Sequence, residues 1–254
     1  MPIHTTKHYV FTYKEDSLAA KDIKKIAKIQ EECFTKISNT LKVSFTEKIK
    51  YYLLESAKEI GELYGINEPI NGFAVWGENK IYALYNDRIK CIGPHEDTHL
   101  ISFVINTPKS NFIVEGLAMY FDEKWWGLDN DVWASYYKAN NKDLSISNLL
   151  SNEEFDSWNC EITYPIAGSF VKYLINRFVV DKFIQLYQIT EVPDSNDFKK
   201  IFHYTIQELE SLFYQEISKV NYDLQEIKLL LEHWKSVLKT QEKFYLSDIS
   251  FKYS

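Results

Sequence analysis

The chain has 254 residues, 45% of them hydrophobic and 26% charged, with a net charge of −7 at pH 7. That is enough for one large domain, or two lobes of one, with a substantial core. It lacks the basic stripe of a nucleic-acid binder: arginine occurs only as Arg88 and Arg177, and the lysines alternate with acids along amphipathic stretches. No window approaches the roughly 18 apolar residues of a membrane span, so neither a nucleic acid nor a membrane is an expected partner.

The N-terminal stretch "MPIHTTKHYVFTYKED" has no apolar run of the kind that directs secretion. Cys33, Cys91 and Cys160 are few, far apart and odd in number, which argues against a disulfide framework and for a reducing, cytoplasmic location. "HYVFTY" (8–13) alternates and is aromatic, predicting a strand. From Ser17 the period becomes 3.6: Ile23, Ile26, Ala27, Cys33, Phe34, Ile37 and Leu41 mark one face of a helix ending near Asn39 to Lys42. "EKIKYYLLES" (47–56) predicts a second strand, followed by a short helix stopped by Gly65. "GFAVW" and "KIYALYN", separated by Gly77, Glu78 and Asn79, predict a hairpin.

From Lys90 onward the periodic segments read as helices, over about 90–105, 111–124, 131–139, 164–180, 182–190 and two long ones after 205. "TIQE" (205–208) is a capping box at the start of the first of these last two. The expected fold is α+β, a single domain over 1–254. Its front lobe (1–89) is a small, mostly antiparallel sheet with helices on one side, and the back lobe (90–254) is helical. No oligomeric state can be read from the pattern.

The pentad "HEDTH" (95–99) follows Gly93-Pro94, a pair suited to the start of a helix. Residues four apart share a helical face, so His95 and His99 can aim both imidazoles at one metal ion. Glu96 lies about 100° around the helix from His95, beside the ion, where its carboxylate can take a proton from water. A catalytic zinc site uses three protein ligands and leaves a position open. The third is expected from the next helix, which a short "TPKS" turn would set antiparallel to the first. Glu115 falls about one turn into it, roughly level with His99, completing a His2Glu set for one zinc ion per chain. The competing reading of Glu115 is a first-turn acid favoured by the helix dipole. Its apolar neighbours Gly116, Leu117 and Ala118 would make a lone carboxylate costly.

"HEDTH" followed by "EGLAMYFD" (115–122) resembles the gluzincin metallopeptidases, which carry H-E-x-x-H and a downstream zinc-binding Glu. It is most similar to the aminopeptidase-N-like branch, with Asp122 where that branch has Glu. "YPIAGSFVKYL" (164–174) is similar to that family's helix with an oxyanion-binding Tyr, which points to Tyr164. The resemblance covers about residues 95–174. Fifteen residues separate His99 from Glu115, fewer than is usual in that branch, and its G-x-M-E-N amine anchor is absent.

The resemblance implies a zinc-dependent metallopeptidase acting on a peptide or protein. In that scheme Glu96 is the general base and Tyr164 an oxyanion donor, and the strand at 80–86 is a sheet edge that pairs with extended substrate. Tyr120 is a second possible donor, and Asp122 a possible carboxylate behind a ligand histidine. Cys91, Trp125, Trp126 and His203 read more simply as structural residues. The alternative from another class is a zinc-bearing scaffold, a peptidase-like binding protein without turnover. Glu96 weighs against it, since a structural site needs no base.

Overall fold

The computed structural model describes residues 1–239; residues 240–254, the end of the expected domain, lie outside the described residues. The chain divides into two compact units, one built on Met1–Val104 and the other on Ile105–Lys235. The architecture is α+β: a five-stranded sheet with its helices, then a helical region.

In the first unit, β1 (Ile3–Thr5) and β2 (Tyr9–Tyr13) pair antiparallel. The long helix α1 (Leu18–Leu41) follows, then β3 (Ile49–Leu54), α2 (Ala57–Tyr64), β4 (Gly72–Val75) and β5 (Lys80–Leu84). The strand order is β1-β2-β3-β5-β4. The sheet is mixed, not mostly antiparallel: β2–β3 and β3–β5 run parallel, and only the outer pairs are antiparallel. The reason is the crossover. A 24-residue helix carries the chain back along the sheet before β3 begins, so β3 starts from the same end as β2. A period-2 pattern carries no information about strand direction.

Of the expected α1 stripe, Ile23, Ile26, Ala27, Phe34, Ile37 and Leu41 are buried while Cys33 is half-buried, and the stripe contains one polar residue, the fully buried Gln30. Ser17 caps its start, its Oγ accepting from the Ala20 N–H, and Lys42 ends it in the left-handed conformation. On β2 and β3, alternate residues Tyr9, Phe11, Ile49, Tyr51 and Leu53 are buried. Across β3, β5 and β4, the rings of Tyr52, Tyr82 and Phe73 form cross-strand stacks at 4.9 Å. The hairpin forms where expected, with Gly77 and Asn79 at positive φ in its turn. However, β5 lies inside the sheet between β3 and β4, so the 80–86 strand is no edge. The edge is β4. Four residues, 76–79, join it to β5, and β4 lies on the outer side of that strand, which the order of the chain alone did not show. The unit ends with α3 (Pro94–Ser102), packed on α1 and β4.

The second unit contains α4 (Asn111–Asp122), a two-strand hairpin of β6 (Lys124–Trp125) and β7 (Leu128–Asp129), and α5 (Asn130–Asn140). Two short helices follow, α6 (Ile146–Leu149) and α7 (Asn152–Ser157), and then α8 (Cys160–Phe178) and α9 (Val180–Tyr187). The last are α10 (Ser195–Phe202), α11 (Ile206–Ile217) and, as far as Lys235, α12 (Leu224–Lys239). The capping box at Thr205 is present: Thr205 Oγ1 accepts from the Glu208 N–H, and Glu208 Oε2 accepts from the Thr205 N–H. The helix α8 begins one turn before Tyr164, capped by Asn159, so Pro165 sits inside the helix and not in its first positions. Among the described residues no helix is long and apolar enough to cross a membrane.

Two glycines allow α4 and α8 to pack closely. A Cβ on Gly116 would stand 2.9 Å from the Ala167 carbonyl oxygen, and one on Gly168 would stand 2.6 Å from Met119 Cβ and 2.8 Å from Asn130 Nδ2. Helix propensity alone favours alanine over glycine by about 1 kcal/mol. Overpacking at so close a contact costs more, so Gly168→Ala should destabilise the protein by about 1–3 kcal/mol. Urea denaturation checks this. A midpoint that stays or rises would mean that the two helices can separate freely.

Candidate metal centre

The helix α3 begins from an unusual residue. Gly93, its N-cap, has φ 142° and ψ −163°, a backbone that side-chain-bearing residues rarely adopt, and it offers no capping side chain. Pro94 follows at the first helical position, where a missing N–H costs nothing. Gln30 of α1 supplies the cap: its Oε1 accepts from the Gly93 N–H at 2.9 Å, and its Nε2 donates to the Gly93 carbonyl at 2.9 Å. The same Nε2 donates to Asp97 Oδ2 at 3.0 Å, and the Tyr9 hydroxyl also bonds that oxygen. Tyr9, Gln30 and Asp97 are all fully buried, and Asp97 Oδ1 has no hydrogen-bond partner. Burial pushes the Asp97 carboxyl well above the ordinary aspartate range, against the pull of Tyr9 and Gln30. Burial, and then the proximity of Asp97, push the Tyr9 hydroxyl up as well.

This anchored helix carries the pentad. The rings of His95 and His99 lie 5.0 Å apart at 83° to each other. His99 is buried and His95 half-buried. Glu96 is also half-buried and turned toward the sheet edge, its Oε1 3.4 Å from where a Cβ on Gly72 of β4 would stand. Glycine at that strand position leaves the carboxylate room.

The helix α4 also starts without a cap of its own. Its N-cap is Ser110, but that hydroxyl donates to the Leu150 carbonyl instead. Asn152 at the start of α7 takes over: its Oδ1 accepts from the Asn111 N–H at 2.8 Å, and its Nδ2 donates to the Lys109 carbonyl at 2.7 Å. One turn along lies Glu115, 2% exposed among the buried Gly116, Leu117, Ala118 and Met119.

His95, His99 and Glu115 each offer a ligand atom, and these atoms all lie within 4.8 Å of one another. Around an ion with bonds of about 2.1 Å, tetrahedral ligands stand roughly 3.4 Å apart, within reach of small side-chain rotations. The donor chemistry fits too: two imidazoles and a carboxylate that burial would otherwise penalise. The group can hold a metal ion.

The other expected residues are placed as follows. Tyr164 lies in α8, 8% exposed, its ring 6.0 Å from both Trp125 and Phe155. Trp126 lies among Trp125, Trp133 and Trp234. Asp122 closes α4, half-buried, and His203 is the exposed left-handed C-cap of α10. Cys33, Cys91 and Cys160 are half-buried thiols. Burial, with Glu161 and Glu115 nearby, pushes the Cys160 thiol up to about 12. Sequence reasoning passed over Gln30, Asp97 and Asn152. Only Gln30 left a trace, as a polar residue four after Ile26 and four before Phe34 on an apolar stripe.

Fold and site thus define an α+β protein with a buried His2Glu group suited to a metal ion. Compared with known proteins, the chain matches no family model, and no curated protein is similar enough to count as a relative.

Glu161, in the first turn of α8, tests the electrostatics of this region. It is 8% exposed, its Oε1 has no hydrogen-bond partner, and burial raises its pKa, with Lys235 opposing. A carboxyl whose pKa is raised by folding adds most stability below its unfolded value and loses it as pH rises. Glu161→Gln should therefore raise Tm by about 2–4 °C at pH 7. The gap should close below pH 4.5, the ordinary glutamate value. Thermal unfolding across pH checks this; a gap independent of pH would point to packing instead of charge.

Proposed function

We propose that the protein is a zinc-dependent metallopeptidase of the gluzincin type. The observation that carries the proposal is the convergence of His95, His99 and Glu115 in the pattern H-E-x-x-H…E, with Glu96 beside the first ligand. Two imidazoles and one carboxylate are a ligand set used by catalytic zinc, which keeps a further position open. When bound, the ion would polarise a carbonyl and bring the pKa of water toward about 7.

The chain's own residues supply the remaining steps. Glu96 accepts a proton from the attacking water and returns it to the leaving amine, so that one carboxylate serves both halves of the hydrolysis. Its half-buried position beside Gly72 keeps it next to the sheet edge. Tyr164 donates its hydroxyl to the oxyanion.

A peptide substrate would pair with β4. In the β4–β5 register, residues 71, 73 and 75 face β5, since the Leu84 N–H donates to the Asn71 carbonyl. Alternation leaves the N–H and C=O groups of Gly72 and Ala74 pointing away from β5, free to take an extended chain. The three separate thiols fit a reducing, cytoplasmic location.

Protein purified without chelators or a histidine tag should contain close to one zinc per chain by elemental mass spectrometry. Glu96→Gln should keep that zinc and lose peptide cleavage by about 100-fold or more. If cleavage survives Glu96→Gln, or wild-type protein with zinc cuts no peptide library, the scaffold reading takes its place. Ala74→Pro removes one outward N–H and should raise KM several-fold with zinc content unchanged. Steady-state kinetics decide this, and an unchanged KM would remove β4 from substrate binding.

A further inference from the structure

Both helices that carry the metal ligands lack a cap of their own, and each is held at its start by one carboxamide from a distant part of the chain. We infer that Gln30 and Asn152 are positioning residues for the metal centre, setting its affinity through the backbone of α3 and α4 without touching the ion. The inference rests on the metal-centre reading above.

The two contacts share one chemistry. The Gln30 carboxamide accepts from the Gly93 N–H and donates to the Gly93 carbonyl. The Asn152 carboxamide accepts from the Asn111 N–H and donates to the Lys109 carbonyl. A carboxamide is the side chain suited to this, since it presents a donor and an acceptor side by side. Each pair of bonds fixes translation and rotation of a helix start, which a single cap bond does not. His95 is two residues beyond Gly93, and Glu115 four beyond Asn111, so both ligands lie within about a turn of the fixed point.

Gln30 is fixed in turn. It is fully buried, its Nε2 also meets Asp97 Oδ2, and the Tyr9 hydroxyl closes the network on Asp97 and on the Gln30 backbone carbonyl. Asp97 sits between the two histidines in sequence but faces α1 and β2, so it sets how the helix is rotated. Held this way, the imidazoles aim at one point before any ion arrives, and little ordering remains to be done on binding. Loss of partners that orient ligands commonly costs 10–100-fold in metal affinity.

The test measures zinc affinity of the full-length apoprotein, by competition with a chromophoric chelator, alongside its apo urea midpoint. Gln30→Leu, which keeps the bulk and removes the bonds, and Asn152→Ala should each weaken zinc binding by about tenfold or more. Asp97→Ala should do the same, while Asp97→Asn, whose carbonyl still accepts from Gln30 and Tyr9, should stay within a few-fold of wild type. Ile37→Val, in the same buried stripe of α1 but outside the network, is the reference: it lowers stability and should leave zinc affinity unmoved. Should Gln30→Leu fold poorly, Tyr9→Phe removes a single hydroxyl from the same network and should show the same direction of change. Folded variants at Gln30 and Asn152 that bind zinc as wild type does would overturn the inference while leaving the metal centre intact. If Ile37→Val weakens zinc as much as they do, affinity merely follows global stability, and the inference fails as well. Wild-type apoprotein that takes up no zinc would bring down the metal reading itself.

Discussion

A carboxamide bracketing a backbone is the constraint on which the ligand-bearing helix depends. Gly93 must leave the sheet in a conformation reserved for glycine, and nothing in its own side chain can satisfy the start of α3. Gln30 reaches from the middle of α1 and satisfies both the Gly93 N–H and its carbonyl. Because Gln30 sits in the apolar stripe that packs α1 down, the core of the first unit and the orientation of His95, Glu96 and His99 are fixed together. A buried polar network with nearly every member satisfied specifies one arrangement more sharply than apolar packing does.

The second unit meets a different demand. Glu115 is a carboxylate inside an apolar helix, and its neighbours Gly116, Leu117, Ala118 and Met119 are all buried. Close approach of α8, allowed only by Gly116 and Gly168, removes water from that helix and raises the cost of an uncompensated charge there. Glu115 in that helix is one of the three residues that could hold a metal ion.

Much of the fold was legible in residue spacing. The stripe of α1, the hairpin of β4 and β5, and the Thr205 capping box all follow from local chemistry acting within a few residues, and all are present. The short elements β1, α6, α7 and α10 were not read, since three to eight residues hold too little period to rise above loop composition. The start of α8 was placed late, at Tyr164, whereas Asn159 caps the helix a turn earlier. Strand direction was misread for a deeper reason. Period-2 alternation is the same for parallel and antiparallel neighbours, and only the course of α1 across the sheet makes the centre parallel.

What the sequence determined by itself was the set of metal-ligating candidates. Histidines four apart share a helical face by geometry alone, and a glutamate within an apolar run signals an unusual demand. What only the tertiary structure decided was how those residues are aimed. Gln30, Asp97, Tyr9 and Asn152 act across 41 to 88 positions of sequence, and such pairings leave almost no local trace. The sheet edge beside Glu96 likewise proved to be β4, because strand order is set by which surfaces bury one another and not by the order in which strands are made.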